Sequence, residues 1–281
     1  GTMVELPSRW LEPLAFQKAI LWSVLFELLG FGCGSGPLTG RYLPPFGGCL
    51  YFLRPGTTKL PLFDGVPVLG GTKRTLLDVV LYAALLAALS RALIAPSIGP
   101  SQLLPVVSLL PLLAVSDKTI FLAARGEHYY VTLLLCALAS SEQQWIAGAM
   151  AVQAALWWFA GISKLNHHFP SVVAVMMSNS PVMRSRALRK RMYRAYPDVL
   201  RPSRLAHWLA HGGTALELSV PVCLVLGGVL APGGPWLLVG MALMLALHIY
   251  ITSNVPMGVP LEWNVVVVYG AFALFWRHPD I

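Results

Sequence analysis

The chain has 281 residues, of which 56% are hydrophobic and only 11% are charged, with a formal net charge of +8 and a mean hydropathy of +0.67. An ordinary soluble domain carries about 25% charged residues, so a water-soluble fold and a separate soluble domain are excluded, and an all-α integral membrane protein is expected. At roughly 20 residues per crossing the length accommodates a polytopic bundle of about seven or eight transmembrane helices. Membrane lipids are the expected surroundings, and no nucleic-acid partner is expected.

Gly1, Thr2 and Met3 show no basic start leading to a cleavable leader, so insertion is expected to rest on the first span. The end at Ile281, soon after an apolar segment, leads us to expect a piece of a longer protein. The first span runs from about Leu14 to Phe31, with Glu27 inside its apolar run. A carboxylate is costly there, so Glu27 is either a neutral or paired structural acid or part of a polar site. Gly and Pro punctuate residues 32–73, with Tyr42, Phe46, Tyr51, Phe52 and Arg54 between the breakers. One helix cannot cover it. An irregular interfacial or re-entrant loop fits, its backbone satisfied by protein contacts, serving as structure or as a lid on a lipid-sized pocket.

The second span is about Thr75 to Leu93, with Asp78 and Arg91 at its ends, where both can snorkel. The third, Gln102 to Val115, contains Pro105 and Pro111 and is expected to be short or kinked. Asp117-Lys118-Thr119 and Arg125, Glu127 and His128 form either a charged turn or a set of groups facing a cavity, ahead of an apolar run from Tyr129 to Ala139. A fifth span, about Trp145 to Lys164, puts Trp157, Ala160, Gly161 and Lys164 on one face, two small residues leaving room beside the ammonium. Lys164 either snorkels to the headgroups or is desolvated among helices, where it can act as a base.

Asn166, His167 and His168 follow, and adjacent histidines would point apart on a helix, which argues against a metal site. Residues 167–204 read as a basic loop carrying Arg184, Arg186, Arg189, Lys190, Arg191, Arg194 and Arg201. It is a topology determinant, or an anionic-lipid contact or substrate entrance. The sixth span, about His207 to Val229, aligns His207, His211 and Thr214 with Glu217 a turn beyond. Those histidines are interfacial, or with the deeper Glu217 they form a proton relay. Ala231 to Pro235 makes a turn, and the seventh span, Trp236 to Thr252, carries His248 and is followed by Asn254. The last span, about Gly258 to Trp276, opens with Glu262, Trp263 and Asn264. If the spans alternate, these polar ends converge on one side, which the positive-inside rule makes cytoplasmic. A disulfide between Cys33 and Cys49 would instead export their loop.

Five motifs in order resemble the vitamin K-dependent gamma-carboxylase and HTTM membrane family: Asp117-Lys118-Thr119 with His128-Tyr129, FAGISKL at 159–165, HGGTALELS at 211–219, HIYITSN at 248–254 and MGVPLEWNVV at 257–266. They cover slightly more than half the chain, and LGFGCGSGPLTGRYLPP at 29–45 resembles a bacterial branch of multi-spanning proteins in which this unit is flanked by further sequence. The resemblance implies one HTTM-like domain over 1–281, a bacterial plasma membrane, and a quinone or hydroquinone as the cofactor class. It makes Lys164 the base that deprotonates the reduced quinone and gives His128 a supporting role. Ser163 stands where the carboxylase has a second lysine, and the large lumenal domain that binds a propeptide is lacking, so carboxylation of protein glutamate is not expected. The resemblance places the site outside, against the charge count.

Two classes of function follow. One is an enzyme acting on a quinone, isoprenoid or other lipid, with Lys164 as base, His128, His211 and His248 holding or relaying protons, Glu217 and Asn254 orienting them, and Asp117, Trp157, Asn166 and Glu262 contacting substrate. The other is a non-catalytic lipid-binding or transport component of a membrane assembly with membrane-protein partners.

Overall fold

A computed structural model describes residues 9–31, 47–180, 185–253 and 261–281. It is mostly helical and divides into two compact units, Gly1–Val152 and Gln153–Ile281. Among the described residues four helices are long and apolar enough to cross a membrane, against the seven or eight spans expected: Leu76–Ile94, Glu142–Ser163, Arg204–Val229 and Pro235–Ser253. Between 28% and 39% of each apolar window is buried inside the protein. Surface that apolar and that uncovered needs hydrocarbon around it.

In the first unit, α1 (Pro13–Leu29) starts on a proline and stops at Gly30, whose left-handed φ of 92° lets its N–H cap the last turn. The Tyr82 hydroxyl of α3 (Leu76–Ile94) donates to the Leu28 carbonyl at 2.6 Å, satisfying one of the acceptors that a helix end leaves open. Between them lies the short α2 (Gly47–Phe52). α4 (Pro100–Ser116) is short, one of the two outcomes expected, and its helix continues through Pro105 and Pro111. The reason is local. A proline at i deprives the carbonyl at i−4 of its donor, and here Arg91 Nη2 donates to Ser101 O at 2.8 Å while Tyr130 Oη donates to Val107 O at 3.2 Å. The unit continues with α5 (Lys118–Ala123), α6 (Tyr129–Leu138) and the start of α7 (Glu142–Ser163).

Asp78 does not snorkel. It is fully buried, as is Lys59, whose Nζ reaches Asp78 Oδ2 at 2.7 Å, Ser116 Oγ at 3.0 Å and the Leu69 carbonyl at 2.9 Å. Asp78 also closes a capping box with Thr75 and accepts from Ser116. One step along, Arg74 Nη2 lies 2.6 Å from Asp117 Oδ2, its guanidinium over the rings of Tyr51 and Phe52. These buried pairs tie the irregular segment to the ends of α3 and α4, and main-chain bonds complete it: Leu62 N to Val115 O, Lys118 N to Leu60 O. Glu27 is likewise paired, with Arg125 Nε 3.3 Å from its Oε1.

In the second unit the stretch read as a basic loop holds ordered elements: α8 (Phe169–Asn179), α9 (Arg186–Met192) and an antiparallel hairpin of β1 (Tyr193–Ala195) and β2 (Val199–Pro202). The hairpin departs from the all-α expectation. Val173, Ala174, Met177, Met192, Ala206 and Ala210 form the core under it. α10 (Arg204–Val229) and α11 (Pro235–Ser253) make a tight helical hairpin. A Cβ on Gly227 would meet Leu237 N at 2.7 Å, and one on Gly240 would meet Leu224 N at 3.0 Å, so two glycines set the approach of the backbones. α12 (Leu261–Gly270) continues as a π-helix over Ala271–Trp276.

Candidate functional site

The second unit brings two helices together at a charged pair. α7 ends where Lys164 N bonds the Gly161 carbonyl at 3.0 Å, and a Cβ on Gly161 would stand 2.7 Å from Leu218 Cδ2. The missing side chain lets α10 lie close, and the residue preceding Leu218 on α10 is Glu217. Lys164 Nζ donates to Glu217 Oε1 at 2.5 Å and also contacts Oε2. The lysine side chain is 29% exposed and that of the glutamate 3%, so a sheltered carboxylate sits behind an ammonium that still has an open side. The pairing offsets the cost of burying the acid.

Behind this pair runs a buried chain of polar groups. Trp157 Nε1 donates to His248 Nε2 at 3.0 Å, and His248 Nδ1 lies 3.0 Å from Asn264 Oδ1. An indole can only donate, so Nε2 accepts, and the proton must be on Nδ1 to reach the amide oxygen. Both imidazole nitrogens are therefore committed. A turn further along α7, Gln153 Nε2 donates to Val267 O at 2.8 Å, beside Gly270, just before the ladder widens into the π-helix.

Away from the charged pair, α7 and α10 enclose an open cavity of about 440 Å³ lined by Ala154, Ala155, Trp158, Phe159, Pro221 and Val222 among others. Its walls are apolar. Pro221 has no N–H for the Glu217 carbonyl, and helix carbonyls point toward residue i+4, so this acceptor lies at the end of the groove nearest the ion pair. Among the described residues no side chain donates to it, unlike the carbonyls freed by Pro105 and Pro111.

The other expected site residues fall elsewhere. Asn166 shapes the turn between α7 and α8: its Oδ1 accepts from His168 N and Phe169 N, and its Nδ2 donates to Ser163 O. The rings of His167 and His168 do not point apart, since they sit in that turn with centroids 3.7 Å apart. His211 is exposed and pairs with the His207 ring at 6.5 Å, and Thr214 bonds back to the Ala210 carbonyl. In the first unit, Asp117 is fully buried and spends its oxygens on Arg74, Thr119 and Leu60 N. His128, also in that unit, is buried against Tyr129, and its Nδ1 has no partner among the described residues. Asn254 lies outside the described residues, as does the side chain of Glu262. Among the described residues no three His, Cys, Asp or Glu side chains group as metal ligands do.

Gln153 was missed, and its signal was an amide in the middle of an apolar run, where a polar group needs a partner. Lys59 and Arg74 were missed because their partners are remote in sequence.

Comparison with curated proteins and with solved structures returned no match. One family model covers the whole chain, residues 1–281, and describes a transmembrane protein of unknown function (DUF3556). The long apolar helices with uncovered flanks agree with that description, and the chain belongs to this family of transmembrane proteins.

Proposed function

We propose that the second unit binds an amphipathic membrane lipid of the quinone or isoprenoid class, its tail in the groove between α7 and α10 and its polar head at Lys164 and Glu217. One observation carries this reading: an apolar groove lined by Pro221 lies one turn of α10 from Glu217, whose partner Lys164 keeps part of its side chain exposed. The head meets a donor in Lys164 and an acceptor in the Glu217 carbonyl that Pro221 leaves without its helical donor.

The pair then acts as a proton-transfer unit. A lysine held by a carboxylate is charged and is no base. Transfer of one ammonium proton to Glu217 leaves a neutral amine and a neutral acid, and the amine then takes a proton from the lipid's hydroxyl. The resemblance to the carboxylase and HTTM family supports this assignment and implies a setting in a bacterial plasma membrane. In this reading α1, α3, α4, α7, α10, α11 and α12 with its π extension cross the bilayer, and α6, at about 15 Å, reaches halfway.

A second reading, lipid carriage without chemistry, draws support from His248, whose two nitrogens are taken by Trp157 and Asn264 and so relay nothing.

Mass spectrometry of lipids extracted from purified protein tests the binding. Wild type should retain a polyprenyl or quinone lipid, and Val222→Trp, which fills the groove, should lose it; an unchanged lipid complement in folded Val222→Trp protein refutes the site. Lys164→Arg separates the two readings in a deletion-complementation assay. Arginine keeps the charge but gives no neutral amine, so loss of function supports proton transfer and full function supports carriage.

A further inference from the structure

From Ser185 to Arg204 the chain carries seven cations (Arg186, Arg189, Lys190, Arg191, Arg194, Arg201 and Arg204) against one acid, Asp198. Arg189 is consumed, donating from Nε and Nη2 to the Ser178 carbonyl at 3.2 and 2.9 Å. Arg194 on β1 and Arg204 at the start of α10 are exposed, and neither has an ion-pair or hydrogen-bond partner among the described residues. These two line an open cavity of about 600 Å³, together with Tyr193, Ser203, His207 and Trp208.

Where this cavity lies along α10 indicates its occupant. α10 has 26 residues and is about 39 Å long, whereas the hydrocarbon core of a bilayer is about 30 Å thick. Its first turns therefore extend into the headgroup layer. Trp208 there is 78% exposed, the position at which indoles gather at a membrane surface, with Leu205 and Leu209 exposed beside it. His207 Nδ1 donates to the Ser203 carbonyl at 2.9 Å, which leaves Nε2 as the ring's remaining polar atom. Two unpartnered guanidiniums, an imidazole nitrogen and an interfacial indole make a seat for a phosphate attached to an apolar body.

We propose that the cleft between the β-hairpin and the first turns of α10 holds the phosphate headgroup of an anionic phospholipid, gripped by Arg194 and Arg204. This seat is independent of the lipid assigned to Lys164 and Glu217, and its test leaves that pair untouched.

The experiment measures binding to purified, delipidated full-length protein in neutral detergent, by native mass spectrometry, with phosphatidylglycerol, phosphatidylcholine and inorganic phosphate as probes. Each basic residue near an anionic lipid contributes about fivefold in affinity, so Arg194→Gln with Arg204→Gln should weaken phosphatidylglycerol binding by about tenfold or more. Arg186→Gln with Lys190→Gln removes the same charge from α9, outside the cleft, and should change it by less than about twofold. Arg194→Lys with Arg204→Lys serves as a second variant and should retain intermediate binding. Equal affinity for phosphatidylcholine and phosphatidylglycerol would overturn the proposal. So would an equal loss in the α9 variant, which would mean diffuse charge, and so would inorganic phosphate binding as tightly as the lipid.

Discussion

The Tyr130 hydroxyl donates at 3.2 Å to the Val107 carbonyl, the acceptor that Pro111 strips of its helical partner. Tyr130→Phe should therefore cost about 1 kcal/mol in thermal unfolding in detergent. In a Pro111→Ala background the restored N–H takes that carbonyl, so the same substitution should cost much less. Equal costs in both backgrounds would show that the two residues are uncoupled.

Lys59→Met leaves Asp78 charged and enclosed, with both side chains fully buried in the wild type. We expect a loss of about 3–5 kcal/mol, read as a drop in unfolding midpoint. Adding Asp78→Asn removes the stranded charge and should recover a substantial part. No recovery in the double variant would refute the pairing as the source of the loss.

The glycines of α10 divide by what surrounds them. Gly212 and Gly213 have nothing within 4 Å of an added Cβ, so Gly212→Ala should stabilise the helix by up to about 1 kcal/mol. Gly227→Ala drives a methyl against the Leu237 backbone and should lower the unfolding midpoint instead. Thermal scans of the two variants should move in opposite directions.

Lys164→Met abandons Glu217 without its cation. Because the lysine is partly exposed, the expected cost is about 2 kcal/mol, below that of a fully enclosed pair. Lys164→Met with Glu217→Leu should regain stability while remaining unable to complement a deletion strain. A double variant with wild-type function would remove the pair from any role beyond structure.

The apolar helices were legible because hydrophobic length is a local property. The first was read as Leu14 to Phe31 and runs Pro13–Leu29, and the seventh was read as Trp236 to Thr252 and runs Pro235–Ser253. α8 was not, since the helix is only 11 residues long and is followed by a charge run that dominates the composition. Lys164 and Glu217 each stood out as charges among apolar neighbours, but their meeting depends on Gly161 admitting Leu218, a fact of packing between helices. The Lys59 and Arg74 pairs depend on how an irregular segment folds back over 19 and 43 residues, which no periodicity encodes. The proton position on His248 likewise follows only once Trp157 and Asn264 have been placed around it.

The π-helix at Ala271–Trp276 has a corollary for the C-terminal segment. Such a widened rung accommodates one residue more than the regular ladder, so deleting a single residue there would let the helix tighten while everything downstream keeps its face, whereas the same deletion in a regular turn would swing it by about 100°. Phe275, now enclosed, and Trp276, now 45% exposed, would keep their environments if one residue were removed from Ala271–Leu274, making this segment the place in α12 that tolerates a shorter count.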